Sequence, residues 1–130
     1  MIVVADASPL IALARIGRLE MLRDVFGTIC LPDAVWREVV EAGVNRTGAD
    51  AVLHARWIER RSVTDGTLIS VLRRNLGAGE AEAIVLAREM GAALVLMDER
   101  MGRAAAMRLG LRVTGLVGGA DRGARARHSD

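Results

Sequence analysis

Short hydrophobic runs alternate with stretches of helical periodicity along this chain. Residues 2–5 (IVVA) are apolar and mostly β-branched, which predicts a first strand, and Ser8 and Pro9 then provide an N-cap and a first-turn proline for a helix. Apolar residues continue at helical spacing over 10–17, and a second such stretch covers 18–26. We therefore expect two helices after the first strand.

The same alternation continues along the rest of the chain. The further predicted elements are a strand over 28–31, a helix from 32 to about 43, a weaker helix over 48–56, a short strand or extended link over 57–63, a helix over 79–90, a strand over 93–97, a helix over 100–109 and a last strand over 111–117. Strands that alternate with helices imply an α/β fold with a largely parallel sheet.

Two acidic residues stand directly after hydrophobic strands. Asp6 follows IVVA and Asp98 follows ALVLM, so both are expected at the carboxyl ends of strands, where ligands collect in an open parallel sheet. Burying such a carboxylate without a cation or hydrogen-bond donors is costly. The alternative interpretation is that each residue caps the helix that follows it, a role worth about 1 kcal/mol.

Two glutamates on predicted helices complete a candidate acidic site. Glu38 lies among apolar residues of its helix, and a solvated pair with Glu41 is the alternative. Glu80 and Glu82 begin a helix, where the helix dipole alone already favours acidic residues. If Glu38, Glu80 and the two aspartates meet, they suit hard divalent cations such as magnesium or manganese, which take oxygen ligands and activate water in phosphodiester cleavage.

Length and composition indicate one soluble domain. The 130 residues suffice for a compact domain with its own core. No apolar run approaches the roughly 20 residues of a membrane span, and the N-terminus lacks the basic region of a secretory signal. Cys30 is the only cysteine, which excludes an internal disulfide and a structural zinc site and favours a small buried hydrophobe. We therefore expect a cytoplasmic protein with no membrane partner.

The charged residues exclude several enzyme classes. All 18 basic residues are Arg, and the lack of Lys excludes a Walker phosphate loop and a receiver-type phosphoacceptor. Ser8 stands where a haloacid-dehalogenase-like phosphatase needs its second Asp, and Glu82 stands where a dinucleotide fingerprint needs its third Gly.

Residues 1–102 carry 14 acids against 12 Arg, net −2, whereas residues 103–130 carry 6 Arg against 2 acids, net +4. We expect a basic, flexible tail over 118–130.

Four segments resemble the motifs of the PIN-domain family, in the same order and over residues 1–117. VVADASPLIALA is similar to the family's first strand with Asp6 and Ser8, LPDAVWREV to its proline-led helix with Glu38, LGAGEAEAIVLA to its third motif with Glu80, and LVLMDERMGRAAA to its fourth motif with Asp98. Each motif alone is weakly specific, but their joint order and spacing make the resemblance specific.

The resemblance implies a fold, an activity and partners. The fold would be a three-layer α/β/α domain around a central, mostly parallel sheet. The activity would be RNA cleavage that depends on Mg²⁺ or Mn²⁺, often as the toxin of a toxin–antitoxin pair, with RNA as substrate, an antitoxin protein as partner and a homodimer as a further expectation. The implied site comprises Asp6, Glu38, Glu80 and Asp98 as catalytic and metal-binding residues, Ser8, Glu82 and Glu99 as supporting residues, and Arg100 and Arg103 as phosphate-binding residues.

Two departures from the family pattern and one rival function remain. Leu96 stands where many relatives place Ser or Thr, so a hydrogen bond to the site would be missing or supplied by Glu99. Residues 115–130 lack the apolar pattern of the helix that commonly closes this domain. The rival, from a different functional class, is a catalytically silent PIN-like module that binds a protein or nucleic acid without cutting it.

Overall fold

The computed structural model describes residues 1–43 and 48–116, so the predicted tail over 118–130 lies outside the described residues. The strands of this part of the chain are β1 (Val3–Ala5), β2 (Ile29–Pro32), β3 (Ile58–Arg61), β4 (Leu94–Leu96) and β5 (Val113–Thr114). Its helices are α1 (Ala7–Arg15), α2 (Glu20–Phe26), α3 (Asp33–Trp36), α4 (Ala49–His54), α5 (Gly66–Leu72), α6 (Ala78–Met90) and α7 (Arg100–Arg108). None of these helices is long and apolar enough to cross a membrane.

The five strands form one sheet in the order β3-β2-β1-β4-β5, and all four pairings are parallel. This confirms the predicted α/β fold with a parallel sheet. β1 lies at the centre, and the order of the strands reverses between β1 and β4. Ligands of open parallel sheets bind at such a reversal, beyond the carboxyl ends of the two strands. The sheet therefore places its favoured binding crevice next to the residues that follow β1 and β4.

Alternate residues of the strands face two separate hydrophobic cores, because successive side chains of a strand point to opposite faces. Val3 lies in the core under α1 to α4 together with Leu10, while Val4 lies in the core under α6 and α7 together with Ile84. Cys30 is buried in the second core, as predicted for a small hydrophobe. A helical layer on each face of the sheet gives the three-layer α/β/α arrangement.

The first helix starts earlier than predicted. α1 begins at Ala7, with Asp6 in the N-cap position, so Ser8 is not the N-cap and Pro9 is the third helical residue instead of the first. The amide of Asp6 donates to the carbonyl oxygen of Leu96 at 2.9 Å, which keeps Asp6 extended as a continuation of β1. Pro9 still fits, because the amides of the first helical turn have no partner within the helix.

The predicted helix over 32–43 is not uniform. α3 spans only Asp33–Trp36 and continues as a π-helical segment, Arg37–Glu41, in which the amide of Ala42 donates to the carbonyl oxygen of Arg37 at 2.7 Å. A π-helical turn holds one residue more than an α-helical turn, so it changes the direction in which the following side chains point. This segment carries Glu38.

Two further elements differ from the prediction. α5 was not predicted; its first turn is capped by Asp65, whose carboxylate accepts from the amide of Leu68 at 3.0 Å, and Glu89 accepts from the amide of Thr64 just before it. β5 is shorter than the predicted 111–117, since only Val113–Thr114 pairs with β4, and residue 117 lies outside the described residues.

Candidate active site

Asp6 and Asp98 lie at the carboxyl ends of β1 and β4, on either side of the point where the strand order reverses. β1 and β4 pair directly, with Ala5 opposite Leu96. Asp6 is only 4 % exposed and is the one charged residue that is buried in the described part of the chain. The sequence prediction that both aspartates stand at the carboxyl ends of strands is confirmed, and the topology adds that the two strands are neighbours.

Glu38 and Glu80 join Asp6 around a small cavity. The cavity has a volume of about 210 Å³ and is lined by Asp6, Ala7, Ser8, Glu38, Gly77, Ala78, Gly79 and Glu80. Larger concavities of the described structure, such as one lined by Trp57 and His54, do not contain these acids. The first turn of α6 thus forms one wall of the acidic cavity and the first turn of α1 forms another.

Gly79 lets the carboxylates of Asp6 and Glu38 approach each other. A Cβ atom placed on this glycine would lie 3.2 Å from Oδ1 of Asp6, 3.3 Å from Oε1 of Glu38 and 3.4 Å from a methyl group of Val35. The two carboxylates therefore flank one point in space, although they come from the end of β1 and from the π-helical segment. Glu38 is exposed, and the π-helical segment directs its carboxylate toward Gly79. Glu41, which the alternative interpretation pairs with Glu38 in solvent, has its Oε2 3.8 Å from a guanidinium nitrogen of Arg60.

Glu80 lines the cavity and also stabilises its own helix. Its Oε1 accepts from the amide of Gly77 at 2.9 Å, which satisfies an unpaired amide before the first turn of α6. Burial raises the pKa of Glu80, the Gly77 amide opposes this, and a hydrogen bond and charge from Glu99 raise it further. The amides of Gly102 and Met101 lower the pKa of Glu99, and its interaction with Glu80 lowers it further.

Asp98 is held by the end of β5 and does not cap α7. Its Oδ1 accepts from the amide of Leu116 at 2.7 Å. The cap of α7 is Glu99, whose Oε2 accepts from the amide of Gly102 at 2.9 Å. Asp98 is absent from the lining of the cavity, but its charge acts on Asp6. The alternative interpretation of Asp98 as a helix cap is therefore wrong.

Burial and the neighbouring acids both disfavour the charged form of Asp6. Burial raises the pKa of Asp6 to about 6, the nearby N–H of Ala7 opposes this increase, and the charges of Glu80, Glu38 and Asp98 add to it. Asp6 occupies the N-cap position of α1 without making a side-chain capping bond, so capping does not account for its burial. A carboxylate in this position is stabilised by a cation, since both burial and the neighbouring acids disfavour its charge.

The donor set suits a hard divalent cation. The ion pairs of the described residues involve other acids, namely Glu20, Asp24, Asp33, Glu41 and Glu59, and leave the four site carboxylates without an Arg partner. Within residues 1–43 and 48–116, no three Asp, Glu, His or Cys side chains stand close enough to hold one ion jointly. Mg²⁺ commonly binds through one or two carboxylates and keeps several waters, and the Asp6 and Glu38 pair fits that mode.

The remaining predicted site residues fall into different environments. Ser8 is exposed on the rim of the cavity. Glu82 faces elsewhere, because its Oε1 accepts from the amide of Ala34 at 2.9 Å and so caps α3. Arg100 is exposed at the first position of α7, and the partly buried Arg103 lies beside Gly115 at the end of β5. Of these residues, Ser8 is the one that the structure brings to the cavity.

The sequence prediction missed the residues that hold the acids in place. Gly79 and the amide of Leu116 were not singled out, although each contacts a site carboxylate. For Gly79 a signal existed: a glycine at the second position of a helix costs stability relative to alanine, so its presence indicates a need for space. For Leu116 no signal existed, because the contact is made by a backbone amide.

The chain is similar to known proteins in its sequence and in its fold. A family model described as a PIN domain (DUF3368) matches residues 2–126. Among solved structures, a PilT N-terminus domain protein from the hyperthermophilic archaeon Sulfolobus solfataricus P2 is similar, with a TM-score of 0.59 and 18 % sequence identity over 88 % of this chain and 87 % of that one. At this identity the likeness concerns the fold alone. No curated protein matches the sequence.

Proposed function

This chain belongs to the PIN-domain family, and from that premise we propose that it is a divalent-metal-dependent ribonuclease whose site is the acidic cavity at the end of β1. Membership of the family indicates a nuclease-type function, and PIN domains typically use divalent metal ions. The observation that carries the proposal is the burial of Asp6, 4 % exposed, among three other acids without an Arg partner in the described part of the chain.

The surroundings of the four acids indicate a different role in metal binding for each pair. Asp6 and Glu38 would hold Mg²⁺ or Mn²⁺, because their oxygens flank the same point above Gly79. Asp98 and Glu80 would complete the site through water or a second ion. Asp6 is held rigidly by burial and by the 2.9 Å bond from its amide to Leu96, whereas the exposed Glu38 can adjust to substrate.

The chemistry is hydrolysis of an RNA phosphodiester. Bound in this cavity, the ion supplies an activated water and stabilises charge on the phosphate. Water forms a bond to phosphorus, the bond from phosphorus to one ribose oxygen breaks, and a proton passes to the leaving oxygen. Ser8 on the rim can hydrogen-bond water or phosphate, and Arg103 and Arg100 on α7 offer guanidinium groups to the flanking phosphates.

A matched pair of variants tests the proposal. Purified protein is incubated with single-stranded RNA in Mg²⁺, in Mn²⁺ and in EDTA. Asp6→Asn should abolish metal-dependent cleavage, while Asp24→Asn, the same substitution at a 66 % exposed side chain on α2, should cleave at the unsubstituted rate. Cleavage by Asp6→Asn at that rate would contradict the proposal, as would cleavage that persists in EDTA.

We further propose that the protein is the toxin of a toxin–antitoxin pair and that it forms a homodimer; both proposals can fail independently of the nuclease activity. As the toxin of a toxin–antitoxin pair, the protein should arrest bacterial growth when expressed alone, and an antitoxin protein should relieve the arrest. Asp6→Asn should not arrest growth. Expression of the unsubstituted protein without any effect on growth would remove the toxin role and leave the nuclease proposal intact. The molecular mass of the purified protein, measured by analytical ultracentrifugation, would test whether it forms a homodimer.

A catalytically silent binding module is the second candidate. The observation that favours it is that no three potential ligands of the described residues stand close enough to hold one ion jointly, and that Oε1 of Glu80 is occupied by the amide of Gly77. Such a module would bind RNA or a protein without needing metal. Thermal unfolding with and without Mn²⁺ separates the candidates, because only an ion that binds the native state raises the melting temperature.

A further inference from the structure

The end of β5 meets the end of β4 at Asp98. β4 and β5 pair in parallel, with Leu96 opposite Thr114, and the amide of Met97 donates to the carbonyl oxygen of Thr114 at 2.8 Å. Beyond β5, the amide of Leu116 does not donate to a backbone carbonyl of the neighbouring strand: it donates to Oδ1 of Asp98 at 2.7 Å. The strand ladder therefore ends on a side chain of the site instead of on a backbone carbonyl.

Gly115 makes this contact possible. A Cβ atom at this buried position would overlap Oδ1 of Asp98, and it would lie 2.7 Å from a guanidinium nitrogen of Arg103 and 3.1 Å from the carbonyl oxygen of Met97. Separations below 3.0 Å are not tolerated by real Cβ atoms, so a larger residue would force Asp98 or Arg103 to move. The carbonyl of Met97 cannot yield easily, since it belongs to the backbone of the central sheet region.

We infer that Gly115 and the amide of Leu116 are positioning elements for Asp98, which fix the position of its carboxylate beside the acidic cavity, so that it binds a divalent cation there through water. This inference rests on the proposed function. Loss of a group that orients a metal-binding carboxylate commonly lowers the metal affinity by about 10-fold to 100-fold. The inference gives the two residues that directly follow the short strand β5 a role in the site.

The test compares two Gly→Ala variants by Mn²⁺ titration calorimetry. Gly115→Ala should bind Mn²⁺ about 10-fold or more weakly than the unsubstituted protein. Gly66→Ala is the matched control, because a Cβ at that first residue of α5 meets nothing within 4 Å, and it should bind with unchanged affinity. Cleavage by Gly115→Ala should recover at high Mn²⁺, since a positioning defect weakens binding more than turnover. Equal Mn²⁺ affinity of Gly115→Ala and the unsubstituted protein would overturn the inference.

Asp98→Glu keeps the inference testable if Gly115→Ala does not fold. This variant retains the charge but moves the carboxylate away from the amide of Leu116, so the inference predicts a loss of Mn²⁺ affinity of about 10-fold or more. Unchanged affinity would mean that Asp98 contributes charge alone and would overturn the inference. Failure of the unsubstituted protein to bind Mn²⁺ at all is a different result, and it would overturn the proposed function together with the inference.

Discussion

Gly79 lies directly against Asp6: a Cβ atom at position 79 would stand 3.2 Å from Oδ1 of the Asp6 carboxylate. The same atom would be 3.3 Å from Oε1 of Glu38. The second residue of α6 thus leaves space between two acids, although alanine would suit the helix better. An added side chain at position 79 should therefore affect metal binding and protein stability differently.

Gly79→Ala should weaken metal binding without destabilising the metal-free protein. The added methyl group crowds the two carboxylates, and the exposed Glu38 will move because the buried Asp6 cannot. Alanine contributes up to about 1 kcal/mol to helix stability, which offsets the crowding. We expect Mn²⁺ affinity to fall about 10-fold by calorimetry while the urea unfolding midpoint stays constant or rises. Unchanged affinity, with Gly66→Ala as control, would contradict this.

Asp6→Asn should stabilise the metal-free protein at pH 7. Burial raises the pKa of the Asp6 carboxyl to about 6, and the charges of Glu80, Glu38 and Asp98 add to this increase, so its ionised form is disfavoured in the native state. A difference of about two pKa units from the unfolded chain corresponds to about 3 kcal/mol, the largest gain expected from removing the charge. Urea unfolding of both proteins in EDTA measures this. A less stable Asp6→Asn would show that the carboxylate has a favourable partner in the metal-free protein.

The stability of the metal-free protein should carry the signature of Asp6 in its pH dependence. Because the native pKa of Asp6, about 6, exceeds its unfolded value, the native state binds more protons between about pH 4 and pH 6. The contribution of Asp6 is therefore fully present below about pH 4 and is lost as the pH rises through 6. Unfolding free energies of the unsubstituted protein minus those of Asp6→Asn should fall over this window. A flat difference would contradict the assignment.

Glu82 should be structural and not part of the metal site. Its Oε1 accepts from the amide of Ala34 in the first turn of α3. Glu82→Ala removes this acceptor and should cost about 1 to 2 kcal/mol of unfolding free energy with no change in Mn²⁺ affinity. Glu82→Gln keeps an oxygen acceptor and should cost less. A loss of Mn²⁺ affinity in both variants, without a loss of stability, would return Glu82 to the supporting role that the family resemblance implies.

Hydrophobic periodicity predicted most of the elements because the central strands β1, β2 and β4 are largely buried on both faces and most of the helices have an apolar side. IVVA and ALVLM carry that signal, and so the acids that follow them could be placed at strand ends from the sequence. α5 escaped prediction, since none of its residues is fully buried and its start depends on Asp65 and on the distant Glu89.

The detailed geometry of the site could not be predicted, because it depends on contacts between distant parts of the chain. The π-helical segment that directs Glu38 toward Gly79 has no local sequence signature that distinguishes it from an α-helix. The bond from Leu116 to Asp98 depends on the register of β4 and β5. The sequence could therefore nominate the acids, whereas their supporting contacts required the structure.

A crystal structure of the protein grown with Mn²⁺ tests the central claim most directly, through the anomalous scattering of the ion. The proposal predicts an anomalous peak in the cavity, within coordination distance of carboxylate oxygens of Asp6 and Glu38, with Asp98 and Glu80 bound directly or through water. Asp6→Asn crystals prepared in the same way should lack the peak. A cavity without an anomalous peak at saturating Mn²⁺, or an equal peak in the Asp6→Asn crystals, would contradict the claim that these carboxylates form a metal site.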